Sequence, residues 1–313
     1  MAEPVFNYDY READYELGLT KLKTTRFPTG AAGIPNDVQW GTGDQVWFTG
    51  SANCVGRLDR ERTLKVFPRA VGHMPTIMRP DRHAPSYDYG WRFLDPIGRR
   101  IGFIDDFGNF REEVELEPGL TPTMLGPSEG YISYGLVATQ SGIVVDLAQN
   151  RRFRMRTPTV DAIGWARDLT WQISGSMLTS FYAGYDTGDR SLVLDGGRSK
   201  PGFMVKGAPN DYLIYMDPGR DVIGFIEDYD EILEVKLPPG TGIRSMLVYT
   251  DLTIWFTGKG GQSLFRLDRK RTVIEYPCAT AGSDLLHIDH GSQCLWFNEP
   301  KNACVTYADI SNL

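Results

Sequence analysis

The sequence predicts an all-β fold, a seven-bladed β-propeller of four-stranded antiparallel blades whose ring is closed by an N-terminal strand completing the last blade. Three observations predict it. Seven hydrophobic alternations end in an acid: VGRLD at Asp59, IGFID at Asp105, GIVVD at Asp146, SLVLD at Asp195, IGFIE at Glu227, LFRLD at Asp268 and VTYAD at Asp309, at intervals of 46, 41, 49, 32, 41 and 41 residues. Seven further runs end in proline, at Pro28, Pro68, Pro118, Pro158, Pro201, Pro238 and Pro277. Between these markers, short period-two runs alternate with turns rich in Gly, Asn, Asp and Lys, the signature of successive hairpins. Four strands recurring about every forty residues describe propeller blades, in which only short, protected edges remain. A β-sandwich does not account for such a repeat, and the turns of a β-helix are much shorter.

Taken in order, the acidic start MAEPVFNYDYREADYELG is expected to be an arm over residues 1–18, either loosely ordered or a short external helix, followed by a single propeller domain over 19–313. Pro28 precedes the first acid marker and Asp309 has no proline strand after it. The spare strand at 19–27 is therefore expected beside 305–308 in blade seven. Blade one spans 35–68 and contains WFTGSANCVGRLD, residues 47–59; blade six spans 240–277 and contains the near copy WFTGKGGQSLFRLD, residues 255–268. Blade two opens with GHMPT and carries the long segment RPDRHAPSYDYGWRFLD, read as an extended loop. Blades two to five keep the period with weaker motifs. Blade six writes its strands most clearly, as SMLVY, TIWFT, SLFRLD and TVIEYP, and blade seven spans 278–309.

Composition narrows the function classes. With 41% hydrophobic and 23% charged residues the chain can bury a core and is not expected to be disordered. Its 7 Trp, 15 Tyr and 15 Phe suit pleated strands. A net charge of −7 argues against nucleic acid and anionic membranes as partners. There is no long apolar run, and the start is too acidic for a signal peptide, so a cytoplasmic location is expected. Cys54, Cys278, Cys294 and Cys304 lack C-x-x-C spacing and are read as free thiols, too dispersed for a zinc site.

The order WFT, then GRLD, then FP resembles the streptogramin B lyase family, also called virginiamycin B lyase-like propellers, most closely in blades one, six and seven. That resemblance implies a small-molecule substrate at one mouth of the central channel. It also implies elimination across an ester C–O bond of a cyclic depsipeptide, a magnesium ion near the site, a histidine from the inner strand of blades six and seven, and a glutamate from the W-F-x-E segment of blade seven. Here WFNE supplies Glu299, as base or metal ligand, but Leu285 and Arg244 stand where the histidines are expected, and Gly258 takes the glutamate place in blade six.

The residues themselves suggest a site with changed chemistry. His287 is the candidate proton carrier, read either as acid–base group or as structural histidine, with Asp284 as the carboxylate that would orient it. Arg244 cannot act as a base near neutral pH but can hold an anion. His73, Trp91, Tyr134, Asp161, Trp165 and Lys206 lie near inner-strand ends or in the blade-two loop and are candidate substrate contacts, with ordinary packing as the alternative for the aromatic residues. GTGD, GKGG and DTGD are hairpin turns without phosphate-loop context, and no nucleophile elbow is present. Two function classes remain: an enzyme performing acid–base elimination, cyclisation or rearrangement on a cyclic or aromatic metabolite, or a propeller that binds carbohydrate or protein without catalysis.

Overall fold

The computed structural model describes residues 7–70, 72–81, 90–126, 136–147, 151–154, 159–166, 169–181, 190–198, 201–207, 212–228, 231–249, 253–291 and 293–313. The strands form seven small, mainly antiparallel sheets, the blades of a seven-bladed β-propeller. The chain divides into two compact units: Met1–Thr20 with Met155–Pro277, and Lys21–Arg154 with Cys278–Leu313. The first unit holds blades four, five and six; the second holds blades one, two, three and seven.

In the second unit, blade one pairs Pro35–Trp40, Val46–Gly50, Cys54–Leu58 and Leu64–Pro68 in simple succession. Blade seven takes three strands from the end of the chain, Ile288–His290, Cys294–Glu299 and Cys304–Asp309, and its fourth, Thr24–Pro28, from the beginning. Thr24 faces Ala308 and Pro28 faces Cys304, so the predicted closure holds, with the strand starting later than residue 19.

Two expectations are corrected. The described part of the N-terminal arm is neither loose nor helical: Asn7–Glu12 pairs in parallel with the outer strand Glu231–Lys236 of blade five, and Asp14–Leu17 pairs in parallel with the outer strand Thr272–Pro277 of blade six. These two blades are five-stranded. The physical reason is that an outer strand leaves a row of N–H and C=O groups open to pairing, and NYDYRE and DYEL are extended sequences without helical periodicity. In blade four, the third strand is Met177–Phe181, and SLVLD overlaps the outer strand Arg190–Val193, so Asp195 marks the wrong strand. The uneven intervals around Asp195 come from that displacement. Pro158 lies outside the described residues.

The recurring motif is explained by cross-strand packing. In blade one Trp47 faces Arg57, whose guanidinium lies 5.1 Å from the indole centroid, and Phe48 faces Gly56. In blade six Trp255 faces Arg266 at 5.8 Å, while Phe256 faces Phe265 and stacks on it at 5.0 Å. The ring thus covers a glycine in one blade and another ring in the other. A Cβ on Gly56 would lie 2.1 Å from the Phe48 ring, and Gly102 under Phe93 and Gly224 under Tyr215 repeat the arrangement. These aromatics then fill the spaces between neighbouring blades: Trp47, Met78, Trp91 and Phe93 form one core between blades one and two, and Phe48, Trp296 and Val305 another between blades one and seven. Burying each such side chain contributes roughly 1.5–3 kcal/mol.

The acids that end the motif act as turn acceptors. Asp59 accepts from the Thr63 N–H at 2.7 Å, Asp268 from Lys270 and Thr272, and Asp309 from Ser311.

A buried ion pair fastens the closing strand. Glu299, with no exposed surface, accepts from Arg26 Nη2 at 2.8 Å, Thr306 Oγ1 at 2.6 Å, Asn302 Nδ2 at 2.6 Å and the Asp284 N–H at 3.1 Å. Burial alone would raise its pKa, but these hydrogen bonds outweigh it and hold the carboxyl below the ordinary value. Blades five and six use a cation and a carboxylate with the signs transposed. Arg220, in a turn, bridges Asp217 and the outer-strand Glu234, and Lys259, also in a turn, reaches the outer-strand Glu275.

Two outcomes are expected. Glu299→Gln should lower stability in denaturant unfolding by about 2–4 kcal/mol, somewhat below the cost of breaking a fully buried pair because Arg26 keeps contact with water. Since the folded carboxyl titrates below its ordinary 4.5, the wild-type advantage should be complete above that pH and vanish as pH falls through the folded value; an equal gap at pH 7 and pH 3 would contradict it. Gly56→Ala should cost about 1–3 kcal/mol from overpacking against Phe48, whereas Gly202→Ala, where a Cβ meets nothing, should be nearly neutral in the same titration.

Candidate functional site

Inner strands in the second unit begin with bulges, and these position the polar residues. In blade seven Leu286 and His287 together oppose Asn298: the Leu286 N–H donates to the Asn298 carbonyl at 3.0 Å, and the Asn298 N–H donates to the His287 carbonyl at 3.3 Å. Two residues facing one is the signature of a bulge, a device that re-aims side chains. The Asn298 side chain secures it by accepting the His287 N–H at 2.7 Å and donating to the Pro35 carbonyl of blade one at 3.0 Å. Blade one has a corresponding irregularity between Pro35 and Asp37. Asn36 there donates to the Pro75 carbonyl of blade two at 3.2 Å.

Asp37 is the hub beside this bulge. One oxygen accepts the Val38 N–H at 2.9 Å; the other accepts the Met78 N–H and Arg79 Nη1, both at 2.9 Å. Asp37 is buried, while the Arg79 side chain keeps 26% exposure. At the other end of these strands Asp289 accepts the Trp40 N–H at 2.6 Å and the His290 N–H at 2.8 Å. Carboxylates therefore tie blade seven to one and one to two through the next inner strand's amides.

The predicted residues fall into distinct settings. His287 is half-buried on the bulge. Glu299 is committed to Arg26, Thr306 and Asn302, an environment that holds it ionised and hydrogen-bonded on both oxygens. Asp284 is buried, accepts the Lys301 N–H at 3.1 Å and lies 3.6 Å from Lys301 Nζ. Leu285, at the place where the resemblance implies a histidine, is fully buried. His73 pairs through Nδ1 with Asp95, a buried carboxylate that also accepts the Met74 and Gly98 N–H groups. Trp91, 3% exposed, packs 6.1 Å from Trp47, so the packing alternative describes it.

In the first unit, Arg244 is half-buried and donates its N–H to the Thr257 carbonyl at 2.9 Å, immediately before the inner strand Ser245–Val248 of blade six. Asp161 is exposed and caps a turn through the Gly175 N–H at 2.6 Å. Trp165 lies in the inner strand Ala162–Ala166 and Lys206 in the inner strand Phe203–Gly207. Tyr134 and the blade-two segment 82–89 lie outside the described residues.

Asp37, Arg79 and Asn298 escaped the sequence reading. Asn298 was visible in WFNE, one residue before the glutamate, but its role depends on a bulge that no spacing rule reports. Glu299, the residue that the resemblance offers to a magnesium ion, does not fit that role as it stands. Among the described residues no group of three or more His, Cys, Asp or Glu is placed to hold a metal, and the Glu299 oxygens face a guanidinium.

The fold matches solved propellers. A streptogramin B lyase structure aligns with TM-score 0.77 at 18% identity over 93% of this chain and 98% of that one. Virginiamycin B lyase from Staphylococcus aureus aligns at 0.78 and 18% over 92% and 99%. YCF48 bound to D1 peptide aligns at 0.69 and 13% over 96% and 99%. No protein-family model matches the chain, and no curated protein matches its sequence. The resemblance seen in the motifs is thus borne out at the level of fold.

Asn298→Ala should leave the His287 N–H and the Pro35 carbonyl without their partner. A stability loss of about 1–3 kcal/mol is expected, together with a displaced His287 imidazole resonance and an unmoved His73 resonance in NMR. Unchanged His287 signals would show that the bulge does not depend on this side chain.

Proposed function

We propose that the chain is a small-molecule enzyme on a lyase-like propeller scaffold. In this reading His287 moves a proton during an elimination, cyclisation or rearrangement of a cyclic or aromatic metabolite bound at the inner-strand ends of the second unit. The observation that supports the reading is the Asn298-fixed bulge: its hydrogen bonds hold the His287 backbone just before the inner strand Ile288–His290, and an imidazole is the side chain suited to proton transfer near neutral pH. Arg79 supplies a partly exposed guanidinium for a negatively charged group, with Asp37 orienting it. In the first unit Arg244 is proposed as a separate anion contact, with Asp161, Trp165 and Lys206 as further contacts; Tyr134, which belongs to the second unit, is proposed as a contact there.

The chemistry proposed differs from that of the streptogramin lyases. Leu285 and Gly258 cannot transfer protons, and Glu299 would have to abandon Arg26 to act as a base. A cytoplasmic location belongs to the same proposal and is supported by four free cysteines.

A binding protein without catalysis is the second reading. It is favoured by the saturation of Glu299, Asp95 and Asp37 with hydrogen bonds, which commits these carboxylates to holding the fold. YCF48, a fold neighbour, is described as bound to a peptide.

The test is mass spectrometry of a bacterial metabolite fraction, and separately of a cyclic streptogramin B depsipeptide, incubated with the protein. The expected result is consumption of at least one metabolite, reduced at least tenfold by His287→Ala and by Arg79→Ala, with the depsipeptide left closed. Consumption indifferent to His287→Ala would overturn the assignment of the site. Retention without consumption would establish the binding reading. Opening of the depsipeptide at unchanged mass, abolished by a chelator, would restore the lyase chemistry.

A further inference from the structure

The segment 7–17 presents an unusual attachment within the first unit. Six residues pair with the outer strand of blade five, from Asn7 opposite Glu231 to Glu12 opposite Lys236. Four pair with the outer strand of blade six, from Asp14 opposite Thr272 to Leu17 opposite Glu275. Ala13 forms the step between the two blades: its N–H donates to the Lys236 carbonyl at 3.0 Å, the next N–H donates to the Arg271 carbonyl at 3.1 Å, and its side chain packs on the blade-five and blade-six core.

Most of the hold is backbone pairing, since the described side chains of both strands are exposed. Two features add sequence selectivity. Tyr15, 46% exposed, donates its hydroxyl to Glu275 at 2.5 Å, and the same carboxylate accepts from Lys259 at 2.6 Å and Ser263 at 2.7 Å. The hydrogen bond to Glu275, then burial, push the Tyr15 phenol up to about 12, so it stays a donor throughout the physiological range. Gly18 donates to the Glu275 carbonyl at 2.7 Å and lies flat on Tyr276, where a Cβ would come 2.7 Å from the ring. Beyond it Leu19 is fully exposed.

We propose that the blade-five and blade-six edges form one composite docking surface for an extended segment of this sequence, and that the segment of a second copy of the chain can replace the resident one, giving a strand-exchanged dimer. The occupant is identified by the surface itself. Two edges separated by one alanine step, a carboxylate that accepts the Tyr15 hydroxyl and a glycine contact accept residues 7–18 in one register, and a second copy carries that segment. Every bond made in cis is available unchanged in trans, so the resident segment prevails only through its local concentration, which a short tether sets in the millimolar range. Exchange of an identical element is a low-cost route to a dimer, and weakening the resident segment at a position the surface reads should favour it.

The experiment uses the full-length chain carrying Lys236→Cys and a synthetic peptide of residues 7–19 carrying Glu12→Cys, the two positions being register partners. A disulfide adduct is expected under mild oxidation, with none from a scrambled peptide containing the same cysteine. Adding Gly18→Val to the chain should raise the adduct rate at least tenfold; Tyr15→Phe, which removes one hydroxyl, serves if the valine variant fails to fold. Mixing full-length Glu12→Cys and Lys236→Cys chains should give a covalent two-chain species on gel filtration. Labelling at the scrambled-peptide rate in every background, or peptide labelling without a two-chain species, would overturn the proposal.

Discussion

The closing of blade seven rests on an ionised carboxylate with no access to water. Glu299 can remain charged there only because Arg26 stands against it and three further donors fill its remaining positions. Arg26 belongs to the strand Thr24–Pro28, from the start of the chain, and Glu299 to the strand Cys294–Glu299, near its end. The pair therefore joins distant parts of the sequence across an intervening strand, and makes their register specific where backbone pairing alone would be less selective. Blades five and six place the carboxylate on the outer strand and the cation in the turn; blade seven inverts this.

The aromatic code of the second strands explains why the functional candidates lie elsewhere. Trp47, Phe48, Phe93, Trp255, Phe256 and Trp296 of these strands face an arginine, a glycine or another ring on the third strand, and Trp47, Phe48, Phe93, Phe256 and Trp296 join the cores between blades. Trp47 and Trp91 are both buried between blades one and two. The inner strands are different. Those of the second unit are interrupted by bulges, and in blades seven, one and two they are joined to one another through side chains of Asp37, Asp289 and Asn298. Polar groups there must be paired because they are buried, while Arg79 and His287 keep some exposure.

The comparison with streptogramin B lyases separates scaffold from chemistry. The fold is shared over nearly the full length of both chains at 18% identity, a level at which the packing rules persist while site residues change freely. The glutamate of WFNE illustrates the difference. It stands where the resemblance implies a base or metal ligand, yet its surroundings make it the anchor of a closing strand.

What the sequence determined by itself was the periodic part of the molecule. A repeat of about forty residues, the proline-ended outer strands of blades one, six and seven and a spare first strand were legible, because blade packing is governed by local alternation and short-range hairpin contacts, whereas Pro201 ends no outer strand. In blade four the same logic failed: SLVLD imitates a third strand, and only pairing with Met177–Phe181 reveals it as the outer one. The tertiary structure decided the attachment of residues 7–17, since an open sheet edge accepts many extended sequences and composition does not say which. It also decided the site. Asn298, Asp37 and Arg79 acquire their roles from bulges and from contacts between blades, over separations in sequence as large as 263 residues, and no spacing within one repeat encodes such a contact.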